Sequence, residues 1–146
     1  MLKRSRMTRI LIDGDPALLH RLCGQIEARY EPAVVKPPEK SLVMSKARDS
    51  VSQQPFYLGE VLVTECTVAI GDAHGFGILI GEDAERAYEL AVVDAALNAK
   101  LPETEAWEAE LLEEERRTAE RRAREHELVM KTRVHFDTME ESYGKK

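Results

Sequence analysis

The stretch Phe56–Ala99 constrains this chain most, reading FYLGEVLVTECTVAIGDAHGFGILIGEDAERAYELAVVDAALNA. From Val61 to Ile70 the residues fall into two sets of period two. Leu62, Thr64, Cys66, Val68 and Ile70 share one face, and Val61, Val63, Glu65, Thr67 and Ala69 share the other. That is the alternation a β-strand imposes on its side chains, and β-branched residues favour it. Both sets are largely apolar, which predicts cover on the second face as well. Gly71-Asp72-Ala73-His74-Gly75 supplies residues that tolerate turn geometry. Phe76, Ile78 and Ile80 then form the alternating face of a return strand, so the pattern predicts a hairpin with a loop of three to five residues.

Gly81-Glu82-Asp83 ends that strand and opens a helix to about Ala99. Asp83 suits the N-cap, where its carboxylate accepts an orphan amide, and Glu82 and Glu85 sit near the positive end of the helix dipole. Ala91, Val92, Val93, Ala95, Ala96 and Leu97 leave no polar face, the signature of a buried helix. Asp94 is the one acid in this run. A buried carboxylate needs a partner or a shifted pKa, so Asp94 is read as a residue at the edge of the apolar face, hydrogen-bonded or wet.

Before this stretch, Ser5–Ile12 predicts a short helix that Asp13-Gly14-Asp15-Pro16 breaks. Asp15 followed by Pro16 reads as an N-cap with proline at the first helical position. Leu18, Leu19, Leu22, Cys23 and Ile26 recur at helical spacing to near Tyr30. Ala33-Val34-Val35 predicts a short strand that Pro37-Pro38 ends; Leu42–Arg48 predicts another, and Asp49–Pro55 a polar loop.

After the stretch, Pro102 opens a helix without Gly or Pro to about Arg133. A helix of about 30 residues spans about 45 Å, long for a small domain. Glu113/Arg117, Glu120/Arg124 and Glu127/Lys131 are i,i+4 pairs of the favourable orientation. Leu112, Ala119, Ala123 and Met130 follow near-heptad spacing, with Arg116 and His126 in the same row, a thin seam of small residues. Two readings stand for this helix: a solvated rod held by ion pairs, or an arm lying on another subunit. Val134, Phe136 and Met139 make the tail more apolar than a solvated terminus, so it is expected to dock.

The expected fold is α+β: a mainly antiparallel sheet of three to four strands with a buried helix, an N-terminal helical lobe and a long C-terminal helix. Residues 1–139 are expected to form a single domain, with the lobe over 1–30, the sheet and buried helix over 31–100, and the charged helix over 102–133 with its docking tail to 139. Residues 140–146 are expected to be a disordered tail.

Composition removes several function classes. Lys and Arg number 21 against 27 Asp and Glu, a net charge of −6, which argues against general nucleic-acid binding. No stretch approaches a membrane span, and the basic start lacks a signal-peptide apolar core, so a cytoplasmic protein is expected. Cys23 and Cys66 are isolated and the four histidines fall in no metal-binding spacing. No metal or cofactor is therefore expected on this chain. The glycines around residues 71–81 do not match a dinucleotide-binding loop, no nucleophile elbow occurs, and no catalytic residue stands out. Lys46 and Arg48 are candidate phosphate contacts, Arg being suited to bidentate phosphate binding; the plainer reading is a charged, exposed strand end.

An ordered series of segments resembles the PhnG family, the G subunits of the bacterial carbon–phosphorus lyase core complex. The series runs through Leu42-Val43-Met44, Ala47-Arg48, Phe56-Tyr57-Leu58-Gly59-Glu60, Val63-Thr64-Glu65-Cys66-Thr67-Val68, Gly75-Phe76-Gly77, Gly81-Glu82-Asp83, Ala91-Val92-Val93-Asp94-Ala95 and the ending Arg133-Val134-His135-Phe136-Asp137-Thr138-Met139. The resemblance implies a non-catalytic or activating subunit in phosphonate catabolism. It implies partners, the H, I and J subunits, with the I subunit in direct contact. The complex would use ATP, transferring a phosphonate to ribose C1 with release of adenine, and an iron–sulfur cluster would belong to the J subunit. Leu112, Ala119, Ala123, Met130, Val134, Phe136 and Met139 are the expected partner contacts. The alternatives are a free-standing nucleotide- or phosphonate-binding module and a helical adaptor.

Overall fold

The computed structural model describes residues 2–134. The element order is α1 (Arg4–Asp13), α2 (Pro16–Glu27), β1 (Ala33–Arg48), β2 (Pro55–Ile70), β3 (Ala73–Ile80), α3 (Ala84–Asn98), a 3-10 turn (Pro102–Ala106) and α4 (Trp107–Lys131). The strands form one antiparallel sheet in the order β1-β2-β3. The fold is thus α+β with three strands. No helix among the described residues is long and apolar enough to cross a membrane.

The predicted caps are present. The Asp83 carboxylate accepts from the Arg86 amide at 3.1 Å, and the Asp15 carboxylate accepts from the Ala17 amide at 2.9 Å. The buried helix α3 lies against the sheet, with Ala87 through Ala96 inaccessible except for Tyr88. One cluster joins Ile10 and Leu11 of α1, Leu19, Leu22 and Ile26 of α2, Cys66, Val68 and Leu79 of the sheet, α3, and Trp107 and Leu111 of α4.

Three local expectations change. The β2–β3 turn is tighter than three residues, because Ile70 pairs Ala73 and only Gly71 and Asp72 lie between them. Gly71 takes φ +58°, which a short turn requires and glycine adopts freely. Second, Pro37-Pro38 does not end a strand. β1 continues through both prolines, with pairing irregularities between Val34 and Glu39. β1 is an edge strand, so missing amide donors are tolerated there. Third, the last helix opens as a 3-10 turn, and the α-helix proper begins at Trp107.

The core face of β3 consists of Gly75, Gly77 and Leu79, while Phe76, Ile78 and Ile80 point outward. Backbone proximity explains this. A Cβ on Gly77 would lie 2.0 Å from the Ala87 carbonyl oxygen, and one on Gly75 would lie 2.1 Å from that of Ala91. α3 approaches so closely that only glycine fits. The outer face of the sheet, with Phe76, Ile78 and Ile80 half or more exposed, carries no cover from the described residues.

Asp94 finds its partners. Its carboxylate takes both arms of the Arg4 guanidinium, with Nε at 2.6 Å, and accepts the Phe76 amide at 2.8 Å. One turn later the Asn98 side chain donates to the His74 carbonyl. Together these two residues satisfy edge groups of β3 that would otherwise invite another strand.

Candidate functional site

Two segments leave the body of the molecule. The first is the distal half of the β1–β2 hairpin. β3 pairs only with Val63–Ile70; apart from the Gly81 amide donating to the Leu62 carbonyl, Leu42–Arg48 and Pro55–Leu62 pair with each other alone. They form a two-stranded arm that runs past the end of β3.

Both faces of the arm carry apolar residues, one of them beside Lys46, Arg48 and Glu60. Register places Leu42, Met44, Tyr57 and Leu62 on one face and Val43, Phe56 and Val61 on the other. Leu42 is 59%, Met44 56%, Val43 50% and Tyr57 62% exposed. Gly59, at φ +156°, lies at the register shift near Ser45, and Leu58 beside it is 66% exposed. A two-stranded hairpin with no core beneath it is marginal in water, and exposed apolar surface of this extent marks an interaction site.

The tip is nevertheless well ordered by local bonds. The Asp49 carboxylate accepts from the Ser52 hydroxyl at 2.6 Å and the Val51 amide at 3.0 Å. The Ser52 hydroxyl, followed by those amides, holds the Asp49 carboxyl below the usual carboxylate range. The Gln53 amide donates back to the Asp49 carbonyl. An arm pre-shaped in this way loses less freedom when it docks.

Lys46 and Arg48 sit on one face near the tip. The Lys46 ammonium lies 5.9 Å from the centre of the Tyr57 ring, within cation–π reach. Arg48 has no ion-pair partner among the described residues.

The second segment is the far half of α4. Its near half packs inward through Trp107, Leu111, Glu114 and Thr118. Ion pairs fasten it, Arg6 to Glu115 and Arg21 to Glu110, and at the start of the far half Arg122 still reaches Asp13. From Ala119 onward every residue to Val134 is exposed. Leu112, Ala119, Ala123 and Met130 all lie on the outward side, and Val134 is exposed beyond them. Phe136 and Met139 lie outside the described residues. The structure therefore separates the predicted contacts into two places: the basic pair on the hairpin arm, and the small-residue seam on the outer face of α4.

Several important residues carry no signal that single-sequence reading detects. Trp107 is 1% exposed and donates its indole N–H to the Gln25 side chain at 2.9 Å. Glu114 reaches the Asp13-Gly14-Asp15 break and accepts the Asp15 amide at 2.8 Å. A Cβ on Gly14 would lie 2.8 Å from the Glu114 Cγ, so that break is shaped to admit a glutamate from the last helix. In the arm, the adjacent apolar residues Phe56-Tyr57-Leu58 were the available clue, since a solvated loop rarely carries three in a row.

A family model described as "Phosphonate metabolism protein PhnG" matches residues 2–141. The chain belongs to the PhnG family. A curated relative from Rhizobium meliloti (strain 1021), named "Alpha-D-ribose 1-methylphosphonate 5-triphosphate synthase subunit PhnG", is 35% identical over 121 residues, covering 78% of this chain and 73% of that protein. The matched range, residues 2–141, spans both the hairpin arm and α4.

Proposed function

We propose that this chain is a non-catalytic or activating G-type subunit of a cytoplasmic carbon–phosphorus lyase complex. In this role it supports the ATP-dependent transfer of a phosphonate to ribose C1 with release of adenine, giving a ribose 1-phosphonate 5-triphosphate. The relative from Rhizobium meliloti is named as a subunit of such a synthase. The observation that carries the reading is the arm: a hairpin carrying apolar residues on both faces belongs between surfaces of another protein. The proposed partners are the H, I and J subunits, with the I subunit receiving the arm and the outer seam of α4. ATP is then used by the complex, and the iron–sulfur chemistry belongs to the J subunit.

Co-expression with those subunits from one genome, with the tag on this chain, tests the proposal. A stable complex whose nucleosyl-transfer activity falls when this chain is omitted is the expected result. A double variant with one charge on each arm face, Met44→Lys with Phe56→Lys, should lose the partners while keeping its circular dichroism. A lone, monodisperse wild-type chain, or a variant that still assembles, would overturn it.

Lys46 and Arg48 are the proposed phosphate contact. Titration with ATP or methylphosphonate should release heat that Arg48→Ala abolishes; no heat from either ligand, alone or in the complex, removes that role.

A further inference from the structure

We propose that His20, Glu85 and Glu89 form a divalent-cation site of the zinc class between α2 and α3. His20 lies on α2, while Glu85 and Glu89 lie one turn apart at the start of α3. Each offers a donor atom, and the three donors lie within 4.8 Å of one another. One imidazole nitrogen and two carboxylate oxygens suit zinc, with water completing a tetrahedron. Small rotamer adjustments bring donors at this spacing onto an ion about 2 Å from each.

Independent features separate this cluster from an ordinary surface group. Glu89 is a buried carboxylate, 6% exposed. Its one hydrogen bond among the described residues runs to His20 Nδ1 at 2.8 Å, inside the cluster. No hydrogen bond from outside the cluster reaches it, so this buried carboxylate is balanced only within the cluster, by His20 or by a bound cation. The other charged neighbours are committed elsewhere. Arg86, which lines the same cleft, donates through Nη2 to the Leu11 and Ile12 carbonyls, closing the end of α1. Asp83 caps α3. Tyr88 donates to Glu27. Glu85 is left with no ion-pair partner among the described residues. A cleft of about 380 Å³, lined by His20, Asp83, Glu85 and Glu89 with Arg86 at its wall, opens on the cluster and has room for an ion with its waters.

The sequence hides the site because its ligands come from helices separated by the whole sheet; the i,i+4 glutamates alone resemble any solvated helix face. An ion here would tie the N-terminal helices to the start of α3, which the Thr64 hydroxyl already anchors to the sheet through the Gly81 carbonyl and the Asp83 amide.

The full chain, stripped of metal, should be titrated with Zn²⁺ against a chromophoric chelator. One equivalent is expected to bind, with melting temperature rising as zinc is added. His20→Ala and Glu89→Gln should each weaken binding at least tenfold, and the exposed Glu85→Gln should do so without any change in fold. His126→Ala, on the free half of α4, should leave affinity unchanged. Co²⁺ substitution should give ligand-field bands without a thiolate charge-transfer band, which excludes Cys23 and Cys66 as ligands. No binding at 0.1 mM zinc, binding that survives Glu85→Gln and His20→Ala together, or a thiolate band would each overturn the proposal.

Discussion

Gly77 sets how closely helix and sheet can approach. The next atom outward from its Cα position is the Ala87 carbonyl oxygen, and backbone cannot yield as a side-chain end can. Gly77→Ala should therefore force α3 off the sheet and cost about 1–3 kcal/mol or more, as overpacking does. Urea unfolding should show a lower midpoint, and Gly81→Ala is no substitute control because its φ of +95° strains any side chain. Gly24→Ala is the proper control, since a Cβ there meets nothing within 4 Å and alanine favours the helix. The two cysteines form a second residue-scale case. Burial, with the neighbouring Glu27 and Glu89 carboxylates, pushes the Cys23 thiol up to about 12, and burial raises Cys66 as well. The thiolate is the reactive form. Both should resist alkylation at neutral pH in the folded chain and react promptly in urea, which mass spectrometry of labelled protein would show. A native Cys23 that reacts at the rate of an exposed thiol would contradict its place in the core.

At the scale of elements, α4 is held by charge as much as by Trp107 and Leu111. The Arg6 guanidinium holds the Glu115 carboxyl below its ordinary value. Glu103 is held low by its own backbone amide, then by Tyr30 and Arg29. A depressed carboxyl stabilises the fold above the unfolded pKa, about 4.5, and loses that contribution as pH falls through the folded value. The attachment of the 3-10 turn and α4 should accordingly loosen as pH falls below about 4.5. The Arg6–Glu115 pair is solvent-exposed, so added salt should weaken it also. Trp107 is the one tryptophan, and its emission should shift to the red over that range. Arg6→Gln with Arg29→Gln should flatten the pH dependence; an unchanged profile would place the acid sensitivity elsewhere. The same elements show what a single sequence discloses. Asp83, Asp15 and the alternation through Val68 are local signals, and caps and periodicity follow from them directly. Pro37-Pro38 reads as a stop because proline lacks a donor, yet whether a donor is needed depends on which neighbour pairs with the strand. The outward turn of Phe76, Ile78 and Ile80 depends on how near α3 comes, a distance that local pattern does not carry. At the candidate site the basic pair and the α4 seam are local patterns, whereas the arm exists only because β3 is shorter than its partners.

At the scale of the whole molecule, apolar surface is divided unequally between two halves of one hairpin. Val63–Ile70 of β2 is paired on both sides and backed by α3, while Pro55–Leu62, apart from the Leu62 carbonyl, is paired on one side and backed by nothing among the described residues. Local opening free energy follows such differences in buried contact. In the isolated chain, amides of Leu42–Arg48 and Pro55–Leu62 should exchange with solvent far faster than those of Val63–Ile70, although the same two strands carry both. Assembly should remove the contrast. A partner that encloses both faces of the arm adds the missing core on each side, and the arm amides should then gain protection while Val63–Ile70, already protected, changes little. Far-half α4 amides, Ala119–Lys131, should gain protection in parallel if the outer seam docks. Hydrogen–deuterium exchange read by mass spectrometry, on the chain alone and in the co-purified complex, separates these regions. Protection of the arm in the isolated chain equal to that of Val63–Ile70 would mean that the hairpin is stable by itself, and the physical reason for assigning it a partner would be gone.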